Sequence, residues 1–388
     1  MTRNRSPQRS RILGYLVPVA AVTLALLIGA LMLGILGANP LEGLNAMFQG
    51  AFGSGTAITS TILKATPLLF VAVGITIAFR ANVINIGGEG QIVLGALLAT
   101  VTALYLPEMP APIMITLIAV AGIVGGGLWG AIPGALKAYY RVNEILSTIM
   151  LNIVAVQLMN FLLRGPLIDP QEIERGTRIP QTERLAEAAD LPLLFGSGRF
   201  HIGPLIAVIA AVLAYILLWR TPTGFRLRAV GLSDDAARYA GMPEKRTIVL
   251  AMTLSGALCG LAGAVLVFGS ESHRMVTDGS TAGFTGNAGF NGIVVALFGG
   301  LHPLWSIPAS FLFGGLLVAG NALQRAVQVP SALILAINGL VVIFVVSSER
   351  IRKRILAHPV HVDEDEGPPG EGPDVMVPLS GGEPEAEP

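Results

Sequence analysis

Two short polar islands interrupt long apolar runs of the chain, and they hold the side chains best suited to handling a solute. The first, FRANVINIGGEGQIVLGALLA from Phe79, sets Asn82, Asn85, Glu89 and Gln91 among glycines. The second, residues 283–292, reads GFTGNAGFNG and offers Phe284, Asn287, Phe290 and Asn291. Asn152 is a further amide inside an apolar run. Amides supply hydrogen-bond donors and acceptors together, and phenyl rings supply stacking faces. An ionised carboxylate near the middle of a bilayer costs at least about 2.5 kcal/mol, so Glu89 requires water, a partner or a proton. Two readings stay open for each group. Glu89 lines a pathway or favours a helix N-terminus from a vestibule; Asn152 lines it or joins helices; Phe290 stacks on a solute or packs.

A third stretch, RTPTGFRLRAVGLSDDAARYAGMPEKR at 220–246, has a different use. Ser233 is placed to cap a short helix, and Asp234 and Asp235 suit its positive end. Ala236, Ala237, Arg238, Tyr239 and Ala240 continue it, Gly241 can adopt the left-handed terminating conformation, and Pro243 prevents resumption. Two turns of helix do not stabilise themselves in water, so this rod needs a partner surface, which its small side chains admit closely.

The elements that must position these groups are membrane helices. The chain is 53% hydrophobic and 13% charged, against about 25% charged in a soluble domain, so most of its surface must face lipid. Glycine is abundant, 47 of 388 residues, as suits closely packed membrane helices. About 20 apolar residues cross a hydrocarbon core of about 30 Å. On that test the expected fold is an all-α polytopic bundle of about ten spans. These are Ile12–Leu36, Ala57–Phe79, Val83–Leu106, Pro112–Leu136, Ile145–Leu163, Ile202–Trp219, Thr247–Gly269, Phe284–Leu301, Leu304–Asn321 and Pro330–Val346. Val83–Leu106 and Phe284–Leu301 open on the polar islands and are expected to be broken, Gly-interrupted or re-entrant, which fits a substrate site near the midplane. The first segment exceeds the apolar core of a signal peptide and reads as a retained anchor.

Most of the 25 Lys and Arg fall on one side, among them Arg80, Lys137, Arg141 and the six of 220–246. That bias places both termini in the cytoplasm. The expected organisation is a cytoplasmic N-terminus at 1–11, a transmembrane unit at 12–347 and a tail at 348–388. From residue 359 the tail is rich in acids, Gly and Pro, without Lys or Arg, and is expected to be disordered. Residues 38–56 read as a short outer connection, and 164–201 as an outer loop too short to be a domain. Cys259, the one cysteine, cannot form an intrachain disulfide and reads as a small buried apolar side chain.

Asp235-Ala236-Ala237-x-x-x-Gly241 resembles the E-A-A-x-x-x-G loop by which importer permeases dock on their ATPase, with Asp for Glu and without the I-x-L-P tail of its fullest form. The string LRAVGLSDDAARYAGM resembles the same loop of simple-sugar and nucleoside ABC permeases. NIGGEGQ, residues 143–152 and GFNGIVVALFGGLHPL are similar to signatures of bacterial nucleoside-importer permeases. The matches span roughly residues 60–340. The resemblance implies a permease subunit of the bacterial inner membrane that carries nucleosides or a related sugar. It implies four kinds of partner: a separate ABC ATPase, a second permease, an extracytoplasmic binding lipoprotein and membrane lipid. Arg228, Gly231, Asp235, Ala236, Ala237, Tyr239 and Gly241 are the expected ATPase-coupling residues; the eight island residues and Asn152 above are the expected substrate pathway.

No Walker lysine motif, nucleophile elbow or H-E-x-x-H occurs in the sequence. The chain is therefore expected not to be an enzyme, to have no catalytic residues, metal or cofactor of its own, and to bind no nucleic acid, with ATP and Mg held by the partner ATPase. The alternative is an ion-coupled secondary transporter, which shares a midplane site but has no need of the capped loop helix.

Overall fold

The computed structural model describes residues 37–328, apart from 108, 195–198 and 271, together with parts of 20–35 and 336–348. The first and last expected spans lie partly outside the described residues; the N-terminal basic segment and acidic tail lie outside them almost entirely.

The fold is all-α. An amphipathic helix α1 (Pro40–Phe52), capped by Asn39, occupies the connection expected at 38–56. Among the described residues, seven helices are long and apolar enough to cross a membrane. They are α2 (Gly55–Arg80), α3 (Gly88–Tyr105), α4 (Ala111–Tyr140), α5 (Glu144–Arg164), α7 (Gly203–Arg220), α10 (Glu244–Phe268) and α13 (Ser306–Val327). Between them lie α6 (Pro170–Glu174), α8 (Pro222–Leu232), α9 (Asp234–Tyr239) and the short pair α11 (Thr281–Thr285) and α12 (Ala288–Phe298).

Helix α2 is the central post. Of its most apolar window 78% is buried within the protein, against 28% for α4 and α5, which turn most of their apolar surface outward. Cys259 is fully buried in α10 as a small core residue. Helices α3, α4 and α10 cross where their backbones nearly touch. A Cβ on Gly95 would lie 2.2 Å from the Cα of Gly260, and one on Gly126 would lie 2.2 Å from the carbonyl oxygen of Gly256. Contact this close replaces the hydrophobic effect, which lipid cannot supply between helices.

The two island segments differ from uninterrupted spans, and from each other. Residues 81–87 are not helical, so Val83–Leu106 begins as a descending strand of coil and becomes helix only at Gly88. Phe284–Leu301 is not one helix. Gly286 and Asn287 both take a left-handed conformation, with φ of 61° each, and a right-handed helix cannot pass through them. Helix α12 is thus a half-helix of 11 residues, about 16 Å long, too short to cross alone.

Opposite the end bearing Arg80 and Lys137, residues 165–193 fold into a cap. Asp169, 3% exposed, accepts from Arg274 at 2.9 Å, Asp190 meets His273 at 2.6 Å, and Gln181 pairs with Val276 in an isolated bridge. Residues 165–193, within the stretch expected to be an outer loop, are therefore tied down by residues 273–276. Losing one partner of a buried ion pair costs about 3–5 kcal/mol. Arg274→Ala is thus expected to loosen the cap selectively, read as faster proteolysis within residues 170–193 while the helices stay protected.

Candidate functional site

The polar islands meet at depth. Gly88 packs on Gly289 and Val71, and Val71 lies roughly 13 Å along α2 from Arg80. Ser255, which accepts from Asn85 Nδ2 at 2.8 Å, lies roughly 16 Å from the basic end of α10. The N-terminus of α3 therefore sits near the middle of the apolar layer, and that of α12 faces it. Both are positive dipole ends whose first N–H groups find no partner within their own helix.

Glu89 closes this junction. Its carboxylate accepts from the Phe290 backbone N–H at 3.1 Å and from the Thr285 hydroxyl, and its side chain is fully buried. Thr285 in turn accepts from the Asn287 N–H at 3.1 Å. A carboxylate from the first turn of one helix thus satisfies the first turn of the other. Asn85 and Gln91 pair through both amides, at 2.9 and 3.1 Å, and Asn85 also accepts from Gly87 N–H. Asn152, from α5, accepts from Gly90 N–H at 2.8 Å and donates to the Ile86 carbonyl at 3.0 Å. These four side chains hold coil 81–87 and the start of α3 in place.

The remaining island residues are placed differently. Phe290 is 43% exposed, while Phe284, Asn287 and Asn291 are half-buried beside it on α11 and α12. Asn82 is not brought to this junction: it is exposed at the basic end, where its carbonyl accepts from Lys137 Nζ at 3.3 Å. Sequence reasoning did not single out Thr285, Ser255 or Trp129. The Trp129 indole N–H is buried without a partner among the described residues, close to Gly90 and Asn152. Their signal was weak, since hydroxyls and a lone Trp are ordinary in membrane helices.

The loop 220–246 folds largely as its residues dictate. Ser233 Oγ accepts from Ala236 N–H at 3.2 Å, helix α9 runs Asp234–Tyr239, and Gly241 follows at φ 74°. Ahead of it stands α8, not anticipated, started by Pro222 and capped by Thr221, which accepts from Gly224 N–H. Between α8 and α9 opens a groove of about 420 Å³ lined by Phe225, Arg228, Leu232, Ala236, Ala240 and Met242 among others. Tyr239 is 90% exposed beside it; Asp235 pairs with Arg238 on the surface at 2.6 Å; Ala237 is buried. Gly231 presses on the end of α2 and so lies behind the groove.

A family described as branched-chain amino acid transport system / permease component matches residues 57–346, which takes in both islands, the cap and the groove. The chain belongs to this permease family. Its relatives include the guanosine ABC transporter permease protein NupP of Bacillus subtilis, 34% identical over 88% of this chain and 96% of that protein. The glucose ABC transporter permease protein TsgB13 of Haloferax volcanii is 33% identical over 88% of this chain and 89% of its own length. The nucleoside ABC transporter permease protein NupB of Lactococcus lactis is 31% identical over 85% and 90%. As an ABC-type permease, the chain is a multi-pass membrane protein, in keeping with its seven apolar helices.

Proposed function

We propose that this permease is the membrane-spanning subunit of an ATP-driven importer of nucleosides. It would lie in the bacterial inner membrane with the 220–246 face in the cytoplasm. The observation that carries the docking half is the exposed, capped helix α9 and its Ala-lined groove, on the face where Lys and Arg gather. A separate ATPase, holding ATP and Mg, grips that helix. Arg228, Asp235, Ala236 and Tyr239 meet it, while Ala237 and Gly231 seat the helix pair. A binding lipoprotein delivers the solute at the cap face, and a second permease completes the pathway against outward-facing apolar surface such as that of α5.

For the solute, the exposed Phe290 ring and the amides of Asn287 and Asn291 offer a stacking face with polar edges, which suits a heterocycle joined to a sugar. Names of the relatives favour nucleosides, with glucose the competing class. Glu89, Asn85, Gln91 and Asn152 serve this site by fixing the two helix N-termini.

The assay is uptake into proteoliposomes by the complex, with labelled guanosine, uridine, adenosine, ribose and glucose. Guanosine or uridine entry that stops on ATP depletion is the expected result. Entry of glucose or ribose alone would overturn the nucleoside assignment. Entry that persists without ATP and follows an ion gradient would make this a secondary transporter.

Docking makes a separate prediction. Gly241 is exposed, free of neighbours and at a φ that L side chains rarely adopt. Gly241→Trp is expected to strain the end of α9 by about 1 kcal/mol and crowd the partner surface. ATPase recovery on affinity purification should fall by about tenfold, a loss of about 1.4 kcal/mol in affinity, with membrane insertion intact. Gly241→Asn, which tolerates the left-handed conformation, should bind nearly normally. Equal recovery with Trp would remove this surface from the interface.

A further inference from the structure

The importer reading leaves open how the docking helices reach the proposed solute site, and α12 supplies a route because a side chain from elsewhere in the chain holds it at each end. Glu89 holds the N-terminus. At the other end the chain turns through Gly300 and Leu301, both at positive φ, and Arg80 Nε donates to the Leu301 carbonyl at 2.9 Å. Acceptor oxygens at the N-terminal end and a guanidinium donor at the C-terminal end both favour this helix in its observed place.

Arg80 also belongs to the docking side. Its guanidinium lies over the Trp219 ring, 5.2 Å from the centroid, and Arg228 of α8 lies over the same ring at 5.8 Å. The His302 ring, one residue past Leu301, sits against Trp219 with centroids 4.8 Å apart. Burial, and then the Arg80 charge, hold His302 below the usual histidine value, so it adds no third cation at neutral pH. The backbone of α8 rests on the end of α2, since a Cβ on Gly231 would lie 2.0 Å from the Arg80 carbonyl oxygen. Among the described residues neither arginine forms an ion pair with a carboxylate. Arg228 Nε is buried without a hydrogen bond to any described residue. Two like charges thus share one indole, Arg228 from the docking loop and Arg80 from the end of α2, where it also holds the turn after the half-helix, and displacing either arginine disturbs the other.

We propose that Arg80 and Trp219 are positioning residues that carry displacement of α8 and α9 to α12, and so to Phe290 and Asn291. This rests on the importer reading, and the experiment separates the two. The full chain is reconstituted with its ATPase, second permease and binding lipoprotein, with labelled guanosine as the probe. Arg80→Gln and Trp219→Leu are expected to keep ATPase co-purification and basal hydrolysis within about twofold of wild type, yet to lose stimulation by the loaded binding protein and about tenfold or more of uptake. Trp219→Phe keeps a ring face for both guanidiniums and should recover uptake to within about threefold. Should Trp219→Leu fail to fold, Arg80→Lys against Arg80→Gln makes the same comparison, the lysine retaining charge and donor.

Two results would overturn the proposal: unchanged stimulation and uptake in Arg80→Gln and Trp219→Leu, or loss of basal hydrolysis in step with uptake, which marks a merely structural role. A wild-type preparation that moves guanosine but carries no ATPase would overturn the importer reading, and this joint with it.

Discussion

Replacing Gly260 by leucine is expected to abolish recovery of folded protein from the membrane. A Cβ at this position would stand 2.1 Å from the Gly122 carbonyl oxygen and 2.8 Å from the Gly126 Cα, both backbone atoms of α4. On its other side α3 approaches through Gly95. No side chain can rotate away to make room, so α4 and α10 must separate along the whole crossing. Adding methylenes to a packed core costs about 1–3 kcal/mol where neighbours can shift. Here the obstruction is backbone, so the cost exceeds that range and competes with a total stability of about 5–15 kcal/mol. Fluorescence-detected size exclusion in mild detergent reads the outcome as loss of the monodisperse peak. Val208→Leu, on the outward surface of α7, is the control and should elute as wild type. A normal peak for Gly260→Leu would mean that the helices do not cross this closely.

Glu89→Ala is expected to assemble and yet transport poorly. The substitution leaves the Phe290 N–H and the Thr285 hydroxyl without their acceptor at a depth where water does not replace it. A buried donor left without its acceptor costs about 1–3 kcal/mol, and the substitution leaves two such donors at or just before the start of α12. If about 2.8 kcal/mol of that loss falls on the transport-competent arrangement, uptake drops about a hundredfold. Glu89→Gln keeps one carbonyl oxygen for Phe290 N–H but not the charge, so a loss of about tenfold is expected. The order wild type, Gln, Ala in uptake, at constant ATPase recovery, supports a role through the half-helix. Wild-type uptake in Glu89→Ala would remove Glu89 from the working site.

Local signals were legible in the sequence where the physics is local. Ser233, Asp234 and Gly241 mark the ends of α9 because capping acts within a few residues, and the helix begins and ends with them. Helix α8 escaped notice because its arginines and threonines obscure an apolar face formed by Leu227 and Val230, which pack on α2. The second island was legible as an interruption, since Gly and Asn tolerate left-handed backbone. Whether its amides or its rings face the pathway was not.

The reason lies in chain separation. Glu89 meets Thr285 and Phe290 from about 200 positions away, and Asn85 reaches Ser255 across a similar gap. No pattern near Glu89 identifies those partners. The same residue types fit a solute-lining group and a buried helix clasp, and only the descent of coil 81–87 shows that Asn85 meets Ser255 of α10, Glu89 meets Phe290 of α12 and Gln91 pairs with Asn85. Arg80 read as one more basic residue at a helix end, and its place between Leu301 and Trp219 emerged only when three distant segments came together.

By itself, the sequence determined a lipid-facing all-α chain, the turns and caps of its loop helix, and the two points where spans break, because hydropathy, capping and glycine act over one or two turns. Tertiary structure alone decided which polar groups are consumed in holding helix ends and which are not. That division follows from the burial of donors and acceptors in a waterless layer, where each must find a partner wherever the fold brings one.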